Sequence, residues 1–189
     1  MPGFRLSPQQ RRLWSLRELD QTSSVRRESP YRVSCTVIVE GRIDIAILKA
    51  ALRNVVQRHE ILRTAFVVLG DPNMPLQVIA SEPALRFHEH DLSELNLTTP
   101  DECIRAIACC EHCRPLDIGQ GPPLCVSIAK LSSTNHLLFI TLPALCSDIP
   151  ALKNLVSEIS SSYGACLDGG VLSGTSTFAA WSPLTKECM

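Results

Sequence analysis

At 189 residues the chain can bury a sizeable core as one domain, and 45% hydrophobic with 20% charged residues is an ordinary globular composition. A formal net charge of −1 provides no field to draw nucleic acid or an anionic membrane surface. The start, Met1-Pro2-Gly3-Phe4-Arg5, lacks an apolar signal core and no apolar run reaches membrane-spanning length. Nine cysteines, an odd number, read as reduced thiols of a cytoplasmic protein rather than as a disulfide framework.

Ser7-Pro8 opens the first predicted helix, Ser7 as N-cap and Pro8 at the first helical position, with Leu13 and Leu16 as its apolar edge. Asp20 to Pro30 is polar and reads as a surface loop. Tyr31, Val33, Cys35, Val37 and Val39 alternate along a strand that Glu40-Gly41 ends. Asp44 caps a helix on which Ile45, Leu48, Leu52, Val55 and His59 recur at helical spacing, through to Arg63. Thr64 to Leu69 and Leu76 to Ile79 form a hairpin around the turn Gly70-Asp71-Pro72-Asn73.

Leu85 to His90 is a further strand, closed by Asp91-Leu92-Ser93, and Pro100 to about Cys113 is a helix with Thr99 or Asp101 near its start. Pro115, Gly119, Gly121, Pro122 and Pro123 break the chain before two strands, Leu124 to Leu131 and His136 to Leu142, joined by Ser132-Ser133-Thr134-Asn135. A helix runs from the Asp148 loop to about Leu167 and stops at Gly169-Gly170. Residues 168–189 read as a weakly ordered tail, in which Gly174 to Trp181 carries no assignable pattern. Strands and helices interleave without a strict βαβ rhythm. The expected fold is a single α/β domain over 1–189, a two-layer sandwich with a mixed β-sheet packed by helices.

Candidate chemistry lies in three places. The apolar strand ending at Leu142 delivers a short loop, Pro143-Ala144-Leu145-Cys146-Ser147-Asp148, ahead of a helix, a common place to mount reactive groups. The loop carries Asp148 but no histidine, so it reads as a site without its reactive group; Cys146 is either a nucleophile or a buried structural thiol. His88 and His90 share a strand face, as a surface pair or a metal pair. Cys109-Cys110-Glu111-His112-Cys113 has the look of a metal knot. A zinc site needs four ligands, however, and no second pair of closely spaced cysteines appears. Cys103, Ile107 and Cys110 share helical spacing as small core residues, and no metal is expected.

Four segments together resemble a known family. Ser7 to Leu16 is similar to an opening S-x-A-Q-x-R-L-W-x-L, with Gln9 in place of alanine. Arg58-His59-Glu60-Ile61-Leu62-Arg63-Thr64-Ala65-Phe66 fits R-H-E-x-L-R-T-x-F without departure. Pro143 to Ile149 stands where H-H-x-x-x-D-G is expected, with Pro143 and Ala144 for the histidines, Asp148 kept and Ile149 for glycine. Thr175 to Trp181 is similar to Y-x-D-F-A-V-W through Phe178, Ala179 and Trp181. These segments resemble the N-terminal lobe of the condensation domains of nonribosomal peptide synthetases, in the chloramphenicol acetyltransferase-like superfamily.

The resemblance implies one lobe of a V-shaped pair with the active site between the lobes, the second lobe not being in this sequence. It implies substrates carried on phosphopantetheine arms of partner carrier proteins and no cofactor of the chain's own. The implied partners are synthetase modules, carrier proteins or a second copy, with no nucleic acid and no membrane. The motif's second histidine would deprotonate or orient the acceptor amine, a task suited to an imidazole. Ala144 cannot move a proton, Pro143 lacks a backbone donor, and Ile149 adds bulk where glycine lets substrate arms pass. The implied function is a catalytically inactive structural or docking module. The alternatives are half of an amide-forming acyltransferase completed by a second lobe or chain, and a truncated product without function. The resemblance also implies a structural ion pair between Arg63 and Asp148; the alternative is that Asp148 caps the following helix. Leu145, Ile149, Phe178 and Trp181 are the expected exposed apolar surface.

Overall fold

The computed structural model describes residues 3–22, 31–68, 74–93, 99–112, 114, 116–168 and 177–183. In chain order they form β1 (Gly3–Arg5), α1 (Pro8–Thr22), β2 (Arg32–Glu40), α2 (Ile45–Arg58), a 3-10 turn (Glu60–Arg63), β3 (Thr64–Val68) and β4 (Pro75–Ile79). Then follow β5 (Arg86–Asp91), α3 (Pro100–His112), β6 (Cys125–Lys130), β7 (Asn135–Pro143), α4 (Ile149–Asp168) and β8 (Thr177–Pro183). Local chemistry starts the helices. Ser7 and Gln10 cap α1 reciprocally, Gln10 N–H donating to Ser7 Oγ at 3.2 Å and Ser7 N–H to Gln10 Oε1 at 2.9 Å. Asp44 Oδ1 accepts from the Ala46 and Ile47 amides, and Thr99, rather than Asp101, caps α3 together with Glu102.

The strands make a five-stranded sheet in the order β5-β6-β7-β2-β8 and a three-stranded sheet in the order β1-β4-β3. Only β5 and β6 run parallel, so the large sheet is mixed, as expected. Period-2 alternation decides its two faces. Cys35, Val37, Val39, Val126, Ile128, Leu138, Ile140 and Leu142 pack under α2 and α4, against Leu48, Leu52, Val55, Leu152, Val156 and Ile159. On the opposite face Ala129, Leu137 and Phe139 meet Cys103, Ile107 and Ala108 of α3. A third cluster, Leu6, Trp14, Phe66, Ile118 and Leu145, joins α1 and the small sheet to the loop after β7.

Three expectations change. Asp20, Gln21 and Thr22, read as the start of a surface loop, are the last residues of α1. The helical periodicity read through to Arg63 ends at Arg58: His59 is extended (φ −110, ψ 106) and the chain re-tightens into the 3-10 turn, where Leu62 is buried. The segment read as patternless tail contains β8, whose backbone pairs with β2 across a register shift at Ile38/Val39. The Gly70–Asn73 turn, the loop over 23–30, Cys113 and Gly169-Gly170 lie outside the described residues. Among the described residues no helix is long and apolar enough to cross a membrane.

Two histidines make stability pH-dependent. Burial, then the Lys130 charge, lowers the pKa of His136, and burial, then the Arg114 guanidinium, lowers that of His88. The unfolded chain therefore binds more protons just below the ordinary histidine value. The contribution is complete above about pH 6.5 and is lost as pH falls through the depressed folded values. The urea midpoint is expected to fall between roughly pH 7 and pH 5. The His88→Gln/His136→Gln double variant should flatten that slope; an unchanged slope contradicts the account.

Candidate functional site: the loop between β7 and α4

Pro143 ends β7 opposite Arg32 of β2, which aims the next residues out of the end of the sheet. The Ala144 N–H donates to the Tyr31 carbonyl at 2.8 Å, and the Cys146 N–H closes a turn on the Pro143 carbonyl at 2.9 Å. Leu145 is buried in the third cluster, which corrects its expected exposure; Ile149 is 44% exposed, as expected. For Phe178 and Trp181 only the strand backbone is described. Gln10 Nε2 donates to the Leu145 carbonyl at 3.1 Å and to Gln77 Oε1 at 3.2 Å. The opening helix motif thus holds the loop through Gln10 and Trp14.

The loop's own groups are poor proton carriers. Burial pushes the Cys146 thiol up to about 12, which leaves it protonated at neutral pH and unfit as a nucleophile. Asp148 Oδ1 accepts from the Ala151 N–H at 2.8 Å, the capping alternative. The expected Arg63–Asp148 pair does not form. Arg63 Nη1 donates to the Ala80 carbonyl, which the β3–β4 hairpin brings alongside, and Nη2 lies 3.6 Å from Glu60 Oε1. Asp148→Ala should therefore cost about 1 kcal/mol as a lost cap. An Arg63→Met/Asp148→Ala double-mutant cycle should show no coupling; a clear coupling energy would restore the pair.

The second motif ties α2 to α4 instead of serving the loop. His59 Nε2 lies 2.7 Å and Arg58 Nη1 3.6 Å from Glu158 Oε2, while Thr64 Oγ1 donates to the Glu60 carbonyl at 2.7 Å. Beside them a shallow cleft of about 480 Å³ opens between Asn54, Arg58, Ser157, Ser161 and Cys166.

The cysteine knot resolves differently from its reading. Cys103 and Ile107 are buried, but Cys109 and Cys110 are exposed, which corrects Cys110 as a core residue. The residue sequence reasoning missed is Glu111, only 4% exposed. Its Oε1 lies 2.9 Å from His90 Nε2, and its Oε2 lies 3.3 Å from Arg114 Nε. Its signal was the four-residue spacing from Cys103 and Ile107, which puts it on the same helix stripe. Among the described residues no group of three or more histidine, cysteine, aspartate or glutamate side chains is arranged to hold a metal ion.

The mixed sheet, its helices and the strand–loop–helix at Pro143–Ile149 define a chloramphenicol acetyltransferase-like lobe. The condensation-domain profile matches residues 4–183, and the chain belongs to the condensation-domain family. It is 32% identical over 161 residues to chondramide synthase cmdD of Chondromyces crocatus, covering 85% of this chain and 4% of the synthase. With phosphinothricin tripeptide synthetase PhsB of Streptomyces viridochromogenes it is 32% identical over 139 residues, or 74% of this chain and 12% of the synthetase. The starter condensation domain of the rhizomide synthetase RzmA superposes with a TM-score of 0.74 at 23% identity, covering 89% of this chain and 39% of that chain. The solved complex of the X-domain and OxyB from teicoplanin biosynthesis matches with a TM-score of 0.73 at 27% identity, covering 89% and 34%. The chain thus spans less than half of the proteins it matches.

Proposed function

We propose that this chain is a catalytically silent condensation lobe that serves nonribosomal peptide assembly in the cytoplasm as a docking module for synthetase or carrier proteins. The observation that carries the reading is Ala144, at the position of the motif's base. Its side chain has no proton to move and its N–H is committed to Tyr31. Neither neighbour compensates, Cys146 being a buried thiol and Asp148 a helix cap. Losing one positioned general base typically costs roughly a hundred- to ten-thousand-fold in rate. A binding role is supported by a structural neighbour, the solved complex of the X-domain and OxyB from teicoplanin biosynthesis.

The test offers the purified chain two carrier proteins, one bearing a donor and one an acceptor aminoacyl thioester on the phosphopantetheine arm. Dipeptidyl product is expected at the uncatalysed rate, while sedimentation or calorimetry detects binding of a carrier protein. Product above that rate, abolished by a substitution within Pro143–Ile149, would overturn silence. Absence of binding to carrier proteins and synthetase modules alike would overturn docking.

A further inference from the structure

Gln10 stands one turn before Trp14 on α1, and the two side chains take hold of the same residue of the loop. Gln10 Nε2 donates to the Leu145 carbonyl at 3.1 Å, while the Leu145 side chain, 6% exposed, is buried with Trp14 in the third cluster. Gln10 Nε2 also donates to Gln77 Oε1 of β4 at 3.2 Å, and Gln77 Nε2 donates in turn to the Arg5 carbonyl of β1 at 3.1 Å. Gln10 Oε1 accepts from the Ser7 N–H at 2.9 Å, in the cap of α1. One half-buried amide thus uses its donors and its acceptor on three elements, reaching Gln77 and Leu145 across 67 and 135 residues of chain.

Capping alone does not explain why this residue is glutamine. A capping box accepts glutamate or glutamine at this position, and the helix dipole further favours a carboxylate in the first turn. A carboxylate could take the Ser7 N–H in the same way. It could not donate to Leu145 or Gln77, and would set its charge against two acceptor oxygens. The amide is also held one way round. Turned over, its oxygen would face the Leu145 carbonyl and Gln77 Oε1, and the Ser7 N–H would face an N–H. The bonds to the loop and to β4 are therefore a second task of Gln10, separable from capping.

We propose that Gln10 is the positioning residue of the Pro143–Ile149 loop, a latch that makes α1, the small sheet and the loop move as one body, so that a displacement of α1 carries the loop with it. The latch sets the loop's place and not its chemistry, and so stands whether or not the loop can move a proton. The test is hydrogen exchange of the full chain, comparing residues 144–149 with residues 8–22. Gln10→Glu keeps the cap and loses both donated bonds. Exchange over 144–149 should then rise about 2- to 10-fold, the range set by one hydrogen bond, while 8–22 exchanges no faster. Gln10→Met, of similar length and without charge, loses the cap as well and should quicken both segments; it carries the loop measurement if the glutamate variant fails to fold. Gln9→Glu, at an exposed position, adds the same charge one residue away and should leave 144–149 unchanged. Unchanged loop exchange in Gln10→Glu and Gln10→Met overturns the latch. So does an equal rise in both segments for Gln10→Glu, or an equal loop effect from Gln9→Glu.

Discussion

Trp14→Ala is expected to lower stability by about 3–5 kcal/mol, a large share of the total for a domain of this size. Trp14 is 5% exposed and sits where α1, the small sheet and the motif loop meet, among Leu6, Phe66, Ile118 and Leu145. Its ring also carries the Arg17 guanidinium 5.0 Å from its centre. Removing the indole opens a cavity at a junction of three elements that cannot collapse together, so the loss should exceed that of a single-layer truncation. Trp14→Phe should recover most of it. Leu19, 66% exposed on the same helix, is the control: Leu19→Ala should change stability by less than about 0.5 kcal/mol. Urea denaturation of the three variants decides the matter, and equal losses at Trp14 and Leu19 would show that the junction is not a packing centre.

The second large effect is at Glu111. Glu111→Ala is expected to cost about 2 kcal/mol. A stranded charge in a fully buried pair costs about 3–5 kcal/mol, but Arg114 and His90 are 38% and 22% exposed, so water relieves part of the penalty. Glu158 makes a similar three-residue contact with Arg58 and His59, yet its own side chain is 36% exposed. Glu158→Ala should therefore cost less than about 1 kcal/mol. A cost at Glu158 equal to that at Glu111 would mean that burial does not set the ranking.

The caps at Ser7, Asp44 and Thr99 were legible because a cap is satisfied within three residues of itself. The strands from Arg32 to Glu40 and from Asn135 to Pro143 were legible because alternation is a local pattern imposed by a buried face. That the Pro143–Ile149 loop carries no histidine was legible too, since residue identity does not depend on the fold. The helix was read past Arg58 because the spacing of His59 continues that of α2, although the His59 ring does serve a structural hydrogen bond, to Glu158, 99 residues away. Glu111 was overlooked for a similar reason: its partners His90 and Arg114 come from β5 and from beyond α3.

What the sequence determined by itself was therefore the set of local elements, the family resemblance and the absence of histidine from the Pro143–Ile149 loop, all properties of residues and their near neighbours. Tertiary structure alone decided that Asp148 caps α4 while Arg63 turns to Ala80, that Leu145 is buried, and that 177–183 closes the sheet as β8 against β2. Each depends on which distant group comes within hydrogen-bonding or packing range, and only the folded chain sets those distances.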